Sequence, residues 1–153
     1  MPHPHPPGKC FSRVLEGIRF RFCFARATGH PLRMKILELN HVAIHVADVE
    51  RSGAFYRDVL RLARLARPAF DFPGAWFRLG TTQELHLIGR LIEAIPPVNR
   101  NNHFALQVDD IAAWEQHLKK TDADFRPRKQ RPDGAWQIFL RDPDGHFIEL
   151  FTF

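Results

Sequence analysis

The chain is short of cysteine, of long apolar runs and, over its first thirty-three residues, of acid. Cys10 and Cys23 are the only cysteines among 153 residues. Two are too few for a disulfide framework or a cysteine-type zinc site, which suits a reducing, cytoplasmic setting. No stretch approaches the roughly 18 consecutive apolar residues of a membrane-spanning helix, so no membrane partner is expected. The net charge of +5 is confined to the head of the chain. Lys9, Arg13, Arg19, Arg21, Arg26 and Arg33 stand there against Glu16 alone, and the remainder carries sixteen charges of each sign. A nucleic-acid partner would need a basic patch on the folded part, and none is signalled.

Residues 1–33 differ in composition from the rest of the chain. Met1-Pro2-His3-Pro4-His5-Pro6-Pro7-Gly8 cannot build helix or central strand, because proline fixes φ and removes a donor. The next stretch alternates arginine with aromatics. This head is expected to be a disordered extension that the fold does not need, with the domain running over 34–153 from Met34. His3, His5 and His30 make a poor metal site on such a segment.

The domain itself repeats one motif. Asn40-His41-Val42-Ala43-Ile44-His45-Val46-Ala47-Asp48 returns as Asn102-His103-Phe104-Ala105-Leu106-Gln107-Val108-Asp109-Asp110. His41 and His103 are sixty-two positions apart, and two copies make a duplicated module and not an array. Each copy alternates as a strand, with Val42, Ile44 and Val46 on one face and His41, Ala43 and His45 on the other. Asp48 and Asp110 read as N-caps. Helices are predicted over 49–60, with Val49, Gly53, Tyr56 and Leu60 on one stripe, and over 111–120, with Ile111, Trp114 and Leu118. Strands are predicted over 36–46, 62–67, 75–80 and 84–88, then 103–108, 124–128, 136–141 and 146–153. Asp142-Pro143-Asp144-Gly145 reads as a tight turn. The result is an α+β chain with the order βαβββ twice: module one over 36–89, a linker over 90–101 and module two over 102–153.

Aligning the last strands sets Leu85-His86-Leu87 against Ile148-Glu149-Leu150. If the modules pack by pseudo-symmetry, His41, His86, His103 and Glu149 converge on one inner face. Three imidazoles and a carboxylate suit a divalent metal: zinc, nickel, cobalt, manganese or iron. A lone strand histidine is ordinarily a hydrogen-bonded core or surface residue, and Glu149 alone could be an edge charge. Four positions matched across a duplication ask for a shared role, and a carboxylate between Phe147 and Phe151 needs a partner. Glu84 shares a face with His86 and could ligate in its place. His45 and Gln107 are candidates for orienting donors or substrate contacts. Trp76, Arg78, Trp136 and Gln137 are candidate pocket residues, while His117, His146 and the arginines of 61–67 are expected on the surface.

These motifs, with Phe55-Tyr56-Arg57-Asp58-Val59-Leu60 and Arg141-Asp142-Pro143-Asp144-Gly145-His146-Phe147-Ile148-Glu149-Leu150, resemble the vicinal-oxygen-chelate superfamily over residues 36–152. That superfamily includes glyoxalase I, fosfomycin-resistance thiol transferases, bleomycin-resistance proteins and extradiol dioxygenases. The resemblance implies a cupped, incomplete barrel around a metal, commonly in a homodimer, with His41, His86, His103 and Glu149 as ligands. It implies a glyoxalase I-like lyase acting on a small oxygen-chelating substrate, with a thiol cosubstrate and Glu149 as proton-transfer base. Glyoxalase I commonly has an acid where this chain has His86. The other readings are a thiol transferase, an Fe(II) dioxygenase using His41, His103 and Glu149 as its triad, and a non-catalytic small-molecule binding protein.

Overall fold

The computed structural model describes residues 10–15, 18–23, 34–89 and 99–153, in a first unit ending at Leu37 and a second spanning Glu38–Phe153. In the first unit β1 (Cys10–Leu15) and β2 (Ile18–Cys23) pair as an antiparallel hairpin. The rest of the segment expected to be disordered, and most of the expected linker, lie outside the described residues. No helix among the described residues is long and apolar enough to cross a membrane.

The second unit carries both modules. In the first, β3 (His41–His45) leads to α1 (Val49–Ala54), and the strands β4 (Arg64–Leu65), β5 (Gly74–Leu79) and β6 (Gln83–Ile88) come after it. They form a four-stranded sheet in the order β3-β6-β5-β4, with β3 parallel to β6. In the second, β7 (His103–Gln107), α2 (Ile111–Leu118), β8 (Asp124–Phe125), β9 (Lys129–Gln130), β10 (Trp136–Arg141) and β11 (Phe147–Thr152) give the order β7-β11-β10-β8, with β9 beside β10. The predicted α+β class and duplicated order are present, and each module leaves its leading strand, β3 or β7, as a sheet edge among the described residues.

Several elements are shorter than periodicity suggested, for want of a neighbour. The first strand was expected from residue 36. It begins at His41 because β6 begins at Gln83, and the Glu84 N–H donates the last rung to the Asn40 carbonyl at 3.1 Å. The stretch 62–67 pairs only at Arg64 and Leu65, opposite Phe77 and Trp76. The region 124–128 ends early, and β9 forms separately on the same side of β10.

Both helices start where the caps predict. Asp48 accepts from Glu50 and Arg51 N–H at 2.9 and 3.0 Å, and Asp110 from Ala112 and Ala113 N–H at 2.8 and 3.0 Å. Such a cap contributes about 1 kcal/mol. After Ala54 the first helix widens into a π-helical turn over Phe55–Val59, closed by Leu60 N–H donating to the Phe55 carbonyl at 3.2 Å.

The apolar faces of the sheets and the helix stripes share one core. Phe77, Leu85 and Leu87 come from sheet one, Ile138, Leu140, Ile148 and Leu150 from sheet two, and Tyr56, Leu60, Ile111 and Leu118 from the helical segments. Full burial of such side chains stabilises the fold by about 1.5–3 kcal/mol each.

The Asp142-Pro143-Asp144-Gly145 turn does more than reverse the chain. Gly145 takes φ +88°, a conformation glycine adopts without a Cβ penalty. Asp142 Oδ1 accepts from Asp144 and His146 N–H at 2.9 and 2.8 Å, while its Oδ2 accepts from the Tyr56 hydroxyl at 2.8 Å. Asp144, whose side chain is 2% exposed, accepts from Arg51 Nη2 at 2.6 Å, the Ser52 hydroxyl at 2.7 Å and Ala47 N–H at 3.2 Å. The expectation that His146 and His117 are surface residues is corrected here. His146 Nε2 donates to the His45 carbonyl at 2.7 Å, and His117 Nε2 donates to the Val59 carbonyl at 2.9 Å. Both tie module two to module one.

The buried turn makes two outcomes measurable. Tyr56→Phe strips the partner from Asp142 Oδ2 and is expected to cost about 1.5–3 kcal/mol, the range for a hydrogen bond to a charged group. It should appear as a lower urea midpoint at unchanged slope. Burial also raises the Asp142 carboxyl above its ordinary value of 3.8, although the His146 charge and the Tyr56 hydroxyl pull it down. The folded state therefore holds this proton more tightly than the unfolded chain. The contribution of Asp142 to stability is largest below the ordinary value and is lost as pH rises through the folded one. The stability of wild type relative to Asp142→Asn, measured by urea unfolding from pH 3.5 upward, should fall with rising pH.

Candidate metal centre

Strand register places the four sequence-selected residues. In sheet one Ala43 stands beside His86, and in sheet two Ala105 stands beside Glu149, so His86 and Glu149 occupy equivalent positions next to equivalent leading strands. Within one chain, however, the four do not gather at a point. They form two half-sites, and among the described residues no three His, Cys, Asp or Glu side chains are grouped to hold a metal ion. His41 and His86 belong to one sheet and His103 and Glu149 to the other.

The second half-site is the more informative. His103 Nδ1 lies 2.8 Å from the Arg100 carbonyl oxygen. A carbonyl only accepts, so Nδ1 carries the hydrogen and the Nε2 of a neutral ring is bare. That nitrogen stands 3.0 Å from Glu149 Oε2, and the Glu149 side chain is 6% exposed. A lone pair facing a carboxylate calls for positive charge between them, either a proton or a metal ion. A backbone carbonyl fixing the far nitrogen of a ligating histidine is the usual orienting device of metal sites. The donor set and its orientation therefore fit a divalent cation. Arg131 Nη1 donates to the other carboxylate oxygen at 3.3 Å and its Nη2 to Asp133 at 2.8 Å. Phe139, opposite Glu149 on β10, stands edge-on to His103 with centroids 5.2 Å apart, and the Arg100 guanidinium lies 5.2 Å from the Phe139 ring.

The first half-site is a column of rings. His41 stacks on His86 at 4.4 Å, and His86 on Trp76 at 4.1 Å with planes 7° apart. The Asn40 side-chain oxygen lies 2.9 Å from His41 Nδ1. His86 Nε2 donates to Glu84 at 2.9 Å, with Arg78 a further 3.6 Å from that carboxylate's other oxygen. Glu84 and His86 thus form a bonded pair, with His86 the more buried at 15% exposed against 23%.

The remaining candidates divide by face. Trp76 and Arg78 share the His86 face, and Gln137 the Glu149 face, as the strand register requires. Trp136 lies on the opposite face, 37% exposed, with the Arg128 guanidinium 5.5 Å from its ring. Gln107 lines a cavity of about 740 Å³ along the β7 edge with Leu39, Val42, Leu62, Phe104 and Trp114. His45 is half-buried, and its Nδ1 has no hydrogen-bond partner among the described residues. Arg67 is not a free surface cation: it donates to the Phe72 carbonyl at 2.8 Å and lies 4.8 Å from both the Phe70 and Phe72 rings. Sequence reasoning missed Arg100 and Arg131, which sit in loops where periodicity carries no signal.

Comparison with known proteins agrees with this architecture. The model of the Glyoxalase/Bleomycin resistance protein/Dioxygenase superfamily matches residues 38–150. Glyoxylase I 4 of Arabidopsis thaliana is 31% identical over 130 residues, covering 80% of this chain and 73% of that protein. The metallothiol transferase FosB of Bacillus licheniformis is 28% identical over 123 residues, covering 77% of each. A glyoxalase family protein from Bacillus anthracis superposes with a TM-score of 0.68 at 26% identity, over 78% of this chain and 98% of that one. Duplicated modules, matched half-sites and these likenesses agree: the chain belongs to the glyoxalase/bleomycin resistance protein/dioxygenase superfamily.

Proposed function

We propose that this protein is a divalent-metal-dependent lyase of the glyoxalase I type, acting on a small oxygen-chelating substrate with a thiol cosubstrate. Its working form is a homodimer in which His103 and Glu149 of one protomer meet His41 and His86 of the other. The observation that carries the metal is His103 Nε2 turned toward Glu149, each residue held from behind, one by the Arg100 carbonyl and the other by Arg131. Two observations support the second copy. The ligating residues lie in separate half-sites, and β3 and β7 are sheet edges among the described residues, beside an apolar cavity. A symmetric pair of chains would complete two equivalent sites at once.

When bound, the metal supplies Lewis acidity to substrate oxygens. The chain supplies the rest. Glu149 Oε2 faces His103, which leaves Oε1 to take and return the substrate proton, exchanging it against the 3.3 Å contact with Arg131. Glu84 orients His86, and the Trp76 and Phe139 rings wall the cup against water. A thiol transferase is the second reading, favoured by the 28% identity to FosB over a span comparable with that of the Arabidopsis relative.

The purified protein should hold close to one divalent metal per protomer by elemental analysis, and His103→Ala should lose it; equal content in the two would refute the site. Hemithioacetal isomerisation, thiol addition to fosfomycin and oxygen uptake with catechols separate the reactions. Ligand binding without turnover would favour a binding protein. Co-folding His41→Ala with Glu149→Gln tests the dimer. Sites shared between protomers leave about one site in four intact, whereas sites within single chains leave none, so absence of recovered metal and activity would exclude the shared arrangement.

A further inference from the structure

We propose a second ligand site, built from residues outside the two half-sites, that binds a small α-amino acid between Arg61, Asp109 and Trp114. Three observations meet there. Arg61 takes φ +55°, the only non-glycine residue among those described with positive φ. It comes directly after the Leu60 cap of the π-helical turn, where glycine is the residue that adopts this conformation freely. An arginine in this place carries backbone strain, and such strain persists where the side chain has a task.

The side chain reaches a cavity of about 220 Å³ lined by Arg61, Asp109, Ala113, Trp114 and His117. His117 cannot serve as a charged group there, because both its nitrogens are committed. Its Nε2 donates to the Val59 carbonyl, so its Nδ1 accepts from Arg61 Nη2 at 3.1 Å. The third observation concerns charge. Among the described residues Arg61 pairs with no carboxylate, and the carboxylate of Asp109 accepts only from Asp110 N–H, at 2.9 Å. A guanidinium and a carboxylate thus line one cavity without neutralising each other.

A simple anion would meet Asp109 and a simple cation would meet Arg61. The complementary ligand carries both charges. Its carboxylate faces the guanidinium fork and its ammonium faces Asp109. The cavity, about 220 Å³ and open to solvent, accommodates a small amino acid. Ala113 and the Trp114 ring, edge-on to His117 at 5.7 Å, offer apolar wall to a short side chain.

Calorimetric titration of the full chain with L-alanine should saturate, with acetate and methylammonium, each bearing one of the two charges, at least about tenfold weaker. Arg61→Gly and Asp109→Asn should each weaken alanine by about tenfold or more. Arg61→Gly should melt no lower than wild type, because glycine takes φ +55° without strain. Alanine affinity unchanged in both variants, acetate or inorganic phosphate binding as tightly as alanine, or no saturable alanine binding would each overturn the assignment. None of these results depends on the metal centre.

Discussion

The fold turns on two carboxylates that module two lends to module one. Asp142 and Asp144 sit in a tight turn between β10 and β11, yet their partners are Tyr56, Arg51, Ser52 and the Ala47 amide. These contacts fix the first helical segment, and through it the end of β3, against the base of β11. Since β3 carries His41 and β11 carries Glu149, the same lock sets the relation between the two half-sites. Its cost is desolvation, visible in the raised Asp142 and Tyr56 protonation equilibria. Hydrogen bonds from two hydroxyls, a guanidinium and backbone amides offset that cost, because a buried carboxylate left without donors would be untenable.

Duplication has left two halves alike in backbone and unequal in chemistry. Trp76 and His86 face each other across β5 and β6, as Phe139 and Glu149 do across β10 and β11. The first half offers stacked imidazoles, with His86 bonded to Glu84; the second offers a carboxylate held by Arg131. In the proposed site a metal would meet three imidazoles and one carboxylate, a more electrophilic setting than two carboxylates would give. The inequality sits on a common frame, since the paired alanines, Ala43 and Ala105, stand in the same register on both sides.

Much of this was legible from residue order. Alternation located the leading strands and assigned His41 and His103 to the same face of each. The caps at Asp48 and Asp110 and the turn at residues 142–145 appear where their side-chain chemistry requires. Strand lengths were not legible, because a strand ends where its neighbour ends, as residues 36–40 and 62–67 illustrate. Nor were the roles of His117 and His146, since a histidine on a helix face or turn becomes a tether only when another segment presents a carbonyl to it.

The sequence by itself determined the duplicated α+β order, the identity of the four ligating candidates and the pairing of His86 with Glu149 by position, because these rest on local periodicity and on comparison of the chain with itself. Only the tertiary structure decided that the candidates divide between two sheets and that Arg100 and Arg131 hold the second pair. It also decided that Arg61 stands strained over a charged cavity. Those facts depend on which surfaces come to face each other, and surface apposition is set by packing across long separations that no local pattern encodes.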